Sequence, residues 1–172
     1  MAGCKVFRLK IEPPDLHHVN AAQGWLELGD FAEARVELEQ IAKELDSHPE
    51  VLELRWQICA KEKKWEECVE VAQALIKAAP KRPMGWIHRS YALHEMKRSQ
   101  EAFDGLEAAA DMFPDIWLIP YNLACYACTL GRPVEAREWL AEAFGLGDER
   151  EIKSMALKDP DLEPLRTELG EI

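Results

Sequence analysis

Leu28-Gly29-Asp30-Phe31-Ala32-Glu33-Ala34 and, three steps of 34 residues later, Leu130-Gly131-Arg132-Pro133-Val134-Glu135-Ala136 decide the reading of this chain. Each stretch ends one apolar-periodic run in a glycine, a residue that closes helices because it enters the left-handed region without a Cβ penalty. Each then opens a second periodic run. Aligning the chain on Phe31, Trp65, Ser99 and Pro133 places every turn 34 residues after the last. Three residues downstream stand Ala34, Cys68, Ala102 and Ala136, a column of small residues. Four further on come the apolar Leu38, Ala72, Leu106 and Leu140. Upstream, Ala22, Trp56, Ser90 and Ala124 form another column, small in three of its four members. Pro80 and Pro114 end two units in register, with Asp46 and Asp148 in the same place in the others.

With Trp86 opening the third unit and Tyr121-Asn122-Leu123-Ala124 in the fourth, the pattern resembles the tetratricopeptide repeat, a 34-residue helix-turn-helix. The resemblance covers roughly residues 15 to 148 and implies an all-α fold: a right-handed superhelical solenoid of four such repeats with a C-terminal helical cap. The expected divisions are an extended arm at 1–14, repeats at about 15–48, 49–82, 83–116 and 117–147, and the cap at 148–172. The physics agrees. Small residues let paired helices approach closely, and apolar residues three and four positions away fill the space between them. One repeat cannot bury its apolar face alone, so repeats must stack. Arg55 and Arg89 depart from the pattern, standing where the family usually has Leu. The spacing predicts helices near 15–28, 31–46, 49–62, 65–78, 84–97, 99–112, 118–130 and 133–146, the first N-capped by Asp15.

Composition narrows the function classes. With 48% hydrophobic residues, 172 positions suffice for a real core. A formal net charge of -11 disfavours nucleic acid as a partner, because phosphates are neutralised by clustered Lys and Arg. Five cysteines, odd in number and mostly within helical patterns, argue against a disulfide framework and for a reducing compartment. No apolar run approaches the roughly 18 residues of a membrane span, so no membrane partner is expected and the cytoplasm is the default location.

The ends differ from the repeats. Ile152, Met155 and Ala156, then Leu162, Leu165 and Leu169, give a one-sided stripe suited to covering the last repeat. The phrase from Ala156 to Leu165, with Asp159-Pro160-Asp161 at its centre, is similar to the closing segment of many bacterial proteins of this class. In the arm, Phe7, Leu9 and Ile11 alternate with Arg8 and Lys10, a period of two. Such an arm lies along a helical surface, dangles, or occupies a groove of its own or a neighbouring chain.

The resemblance implies a scaffold or adaptor for protein-protein interaction: the first helix of each repeat lines a concave groove holding a partner protein or peptide. Carried onto this chain, the groove positions are Asn20 and Gln23; Glu53, Gln57 and Lys61; His88, Tyr91 and His94; and Tyr121, Asn122 and Cys125. Their side chains suit the task, since amides pair with an extended backbone and tyrosine offers broad contact area. The Lys/Asn/Arg clamp by which some relatives grip acidic chaperone tails is missing. Its places hold Val19, Gln23, Leu54, Met84 and His88.

The residues offer no positive sign of an enzyme, and no cofactor is expected. No P-loop, dinucleotide fingerprint or Ser/His/Asp arrangement occurs. Cys125-Tyr126-Ala127-Cys128 has redox-motif spacing but lies inside a helical pattern, where no helix N-terminus lowers a thiol pKa. A zinc site from His88, His94, Cys125 and Cys128 is a distant alternative, because thiols three apart on a helix diverge by roughly 300°. The main competitor to groove binding is self-assembly, as a homodimer or larger homo-oligomer, through a solenoid end or the arm, with Trp25 and Trp117 as candidate contacts.

Overall fold

A computed structural model describes residues 10–171 of the chain. Among them are ten α-helices and two 3-10 segments. The chain divides into two compact units, 1–85 and 86–172.

The first unit holds two helical hairpins, α1 (Asp15–Leu28) with α2 (Phe31–Glu39) and α3 (Pro49–Lys61) with α4 (Trp65–Ala78). Asp30 caps α2, its carboxylate accepting the Glu33 N–H at 3.1 Å. The buried cluster of this unit runs from Ile11 through Val19, Ala22, Leu26, Ala34 and Leu38 to Val51, Leu54 and Ile58. Ile11 is thus core, whereas Phe7 and Leu9 of the alternating arm lie outside the described residues.

Two local expectations change. Helix α2 stops at Glu39 instead of running to 46, and a 3-10 turn at Lys43–Leu45 follows. The reason is tertiary: the Ala42 N–H donates to the Asp15 carboxylate at 2.8 Å, which takes it out of a helical ladder. The same contact shows that Asp15 does not cap its own helix, whose N-cap position is Pro14. Ile41 and Leu45 still reach the core.

The second unit contains α5 (Met84–Glu95), which starts at the boundary, α6 (Ser99–Ala110), α7 (Leu118–Thr129), α8 (Pro133–Leu146), α9 (Glu149–Ala156), a 3-10 segment at Pro160–Leu165 and α10 (Arg166–Glu171). Helix α7 is the hub: every residue from Ile119 to Cys128 is buried apart from Asn122. Gly147 is required at the α8–α9 corner, since a Cβ there would lie 2.7 Å from Ile152 Cδ1 and 3.0 Å from Trp117 Cγ.

The repeat columns now have a physical meaning. Ala34, Cys68, Ala102 and Ala136 are all 0% exposed, so the small column is where paired helices touch. The intra-hairpin turns show the same period in the backbone. Gly29, Lys63, Lys97 and Gly131 have φ of 80°, 57°, 62° and 74°. Glycine takes this left-handed conformation freely, whereas the two lysines hold it at a cost of about 1 kcal/mol each. Arg55, the departure from the Leu pattern, reaches back to bond the Asp46 carboxylate at 2.5 Å.

Candidate partner-binding cleft

In the first unit, α1 and α3 border a cleft of about 450 Å³. Its apolar part is Val19, Pro49, Leu54, Leu75 and Met84; its polar part is Asn20, Gln23, Glu50, Glu53, Gln57 and Arg82. Four of the expected groove residues therefore converge there: Asn20, Gln23, Glu53 and Gln57. They do so because α1 and α3 are first helices of successive hairpins, and positions three and four apart share one helix face. Lys61 is exposed at the end of α3 and is not part of the lining. Val19, Leu54 and Met84 stand where the chaperone-tail clamp would need polar or basic groups. The cleft offers an apolar floor instead.

Elsewhere in this unit, Arg35 of α2 ties the α3–α4 turn to the first hairpin. Its guanidinium bonds Glu62, bonds Glu67 at 2.9 Å, and lies 3.7 Å from Cys59 Sγ. The hydrogen bonds to Arg35 hold both carboxyls below the usual range. Cys59 and Cys68 share a hydrogen bond that pushes Cys59 up and Cys68 down. Both thiols are 0% exposed. Nothing in the sequence marks this network, because Arg35 is one of many charges on a helix face.

In the second unit three of the expected groove residues, His94, Tyr121 and Cys125, meet the chain's own C-terminal segment. Tyr121 donates its hydroxyl to the Asp159 carboxylate at 2.9 Å, and the Cys125 thiol donates to the same oxygen at 3.6 Å. His94 lies with Nδ1 3.0 Å from Ser99 Oγ and Nε2 2.9 Å from Asp161 Oδ2. A carboxylate only accepts, so Nε2 carries a proton. That bond holds the Asp161 carboxyl below the ordinary aspartate range. Burial pushes Tyr121 and Cys125 up, reinforced by Asp159. The segment is anchored by Leu162 and Leu165, 0% and 2% exposed. The other Asp159 oxygen caps its own turn by accepting the Asp161 N–H at 3.0 Å.

No protein-family model matches the sequence, and comparison with curated proteins finds no match. Solved structures do match. TTC0263, a thermophilic TPR protein of Thermus thermophilus, superposes with a TM-score of 0.72 at 20% identity, covering 91% of this chain and 83% of its own. The fold is that of the tetratricopeptide repeat. PilF of Pseudomonas aeruginosa gives 0.73 at 19% identity over 91% of this chain and 69% of its own. A double mutant of MamA RS-1 gives 0.69 at 16% over 82% and 78%. At these identities the likeness is one of fold.

Within this tetratricopeptide fold, the expected site residues of the second unit have unequal surroundings. His94, Tyr121 and Cys125 are buried and directed to the C-terminal segment, not to an open groove. The reason is that Leu162 and Leu165 carry Asp159 and Asp161 over α7. His88 is also buried, Asn122 is half-buried, and Tyr91 is exposed. The participants that sequence reasoning misses are Glu50 and Arg82 in the cleft, Asp159 against α7 and Asp161 against His94 of α5. The Asp-Pro-Asp phrase is a signal, but it reads as part of an end cap. Among the described residues no group of three or more His, Cys, Asp or Glu is arranged to hold a metal, and no helix is long and apolar enough to cross a membrane.

Proposed function

We propose that this protein is an interaction scaffold whose first unit binds an extended segment of a partner protein in the α1–α3 cleft. The carrying observation is the convergence of Asn20, Gln23, Glu53 and Gln57 around an apolar floor. Primary amides can donate to and accept from a ligand main chain, while Val19 and Leu54 take an apolar side chain. On this reading the repeats are 15–48, 49–82, 83–116 and 117–147, and 148–172 closes the second unit. The test is a photo-crosslinking amino acid placed at Gln57 and, separately, at Val36, which is exposed on α2 and does not line the cleft. A protein adduct from position 57 and none from 36 supports the cleft. The same adducts from both positions, or none from 57, sink it.

A second reading, self-association, has its own observation. Trp25, Leu28 and Val36 are 36%, 77% and 48% exposed on the first hairpin. Trp117, the other candidate contact, packs edge-on against Tyr121 at 6.0 Å. Sedimentation at several concentrations separates the readings: a mass that rises in wild type and not in Leu28→Glu favours self-association.

A further inference from the structure

Three charged residues line the cleft of the first unit: Glu53 is half-buried, and two others stand exposed. Glu50 and Arg82 both line it and both are exposed. Some other acids of this unit are paired: Glu62 and Glu67 with Arg35, Asp46 with Arg55, and Glu37 with His18. No ion pair among the described residues uses Glu50 or Arg82, although they share one cleft. An acid in the first turn of a helix is favoured by the helix dipole wherever it lies, so Glu50 alone would signify little. Its meaning comes from Arg82 in the same lining and from the apolar floor that the cleft also holds.

We propose that the cleft recognises an extended protein segment in which one large apolar side chain is flanked by Lys or Arg on one side and by Asp or Glu on the other. This rests on the cleft reading above and adds the chemistry of the partner. A volume of about 450 Å³ accommodates an apolar side chain with its adjoining main chain. Val19, Leu54 and Leu75 provide the apolar contact, and the amides of Asn20 and Gln57 satisfy the ligand backbone, Gln23 Nε2 already donating to Glu27 Oε1 at 2.9 Å. The two charges then fix chain direction, because a reversed segment sets like charges together. A uniformly acidic tail meets Glu50 unfavourably, and a uniformly basic one meets Arg82 in the same way.

The probe is a displayed library of random heptapeptides, selected on the full chain and on a Glu50→Arg/Arg82→Glu exchange variant. Both sites are exposed, and circular dichroism is the check that the variant stays helical. Wild type is expected to enrich an apolar residue between opposite charges in one order, and the exchange variant the reverse order. Either single reversal weakens a peptide selected on wild type about two- to fivefold, the scale of an exposed ion pair. Enrichment with no charge order, or the same order on both proteins, overturns the charge inference and leaves peptide binding standing. No enrichment on wild type overturns the cleft reading itself.

Discussion

Gln57 and Cys125 occupy the same position of the repeat, two repeats of 34 residues apart, and their fates differ. Gln57 lines a cleft in the first unit. Cys125 is 4% exposed and donates to Asp159. Glu53 and Tyr121 are paired in the same way, one lining the cleft and the other bonded to the same aspartate. Repeat position sets which helix face a residue occupies. What that face meets is decided by chain far away in sequence. In the second unit an acidic turn from the C-terminal segment covers positions whose counterparts line the cleft of the first.

If that segment belongs to the core of the second unit, its removal costs far more than any change in the cleft. Leu162→Ala is expected to destabilise by about 2–5 kcal/mol, as deletion of a buried leucine does. Chemical denaturation measures it, and a loss under about 1 kcal/mol would mean the segment is only loosely attached, erasing the contrast between the units. Next in size is Asp161→Asn. Its bond to His94 is charge-assisted but partly exposed, so about 1–2 kcal/mol is the scale. Because the Asp161 carboxyl is held low, its contribution is complete above the ordinary aspartate range near 4 and is lost as pH falls through its depressed value. Thermal melts from about pH 5 down to about pH 2 should therefore fall less steeply in the variant than in wild type.

Tyr121→Phe keeps the ring and removes one hydroxyl, costing about 1 kcal/mol in a melt. The smallest effect sharpens the comparison from the other side. Gln57→Ala should change stability by under about 0.5 kcal/mol, since the side chain borders open space. A larger loss would show that Gln57, like Cys125, is structural.

The fold was legible because its signal is local and repeated. Four small residues in one column need no long-range information, and all four are fully buried. The left-handed turns were half legible: Gly29 and Gly131 announce themselves, whereas Lys63 and Lys97 adopt the same conformation with an ordinary side chain. The early end of α2 was hidden because its cause, the Asp15 carboxylate on Ala42, lies 27 residues away. The polar lining that α1 and α3 give the cleft was legible, whereas the bonds of His94, Tyr121 and Cys125 to the C-terminal segment were not, for a related reason. Periodicity identifies the leucines of 162–165 as buried but says nothing of where Asp159 and Asp161 point. Glu50 and Arg82 were invisible for want of a pattern, since single charges on helix starts and loops occur everywhere.

The C-terminal segment has a consequence during synthesis. Helix α7 buries its Tyr121 and Cys125 side only when residues 159–165 have emerged from the ribosome and folded back. At elongation rates of roughly 5–20 residues per second, that surface stays uncovered for about two seconds or more after Thr129 is added. The cluster of the first unit, from Ile11 to Ile58, waits for no such late arrival. A nascent chain stalled before Leu162 would therefore present an unfinished second half, and it is there that chaperones would be expected to bind first.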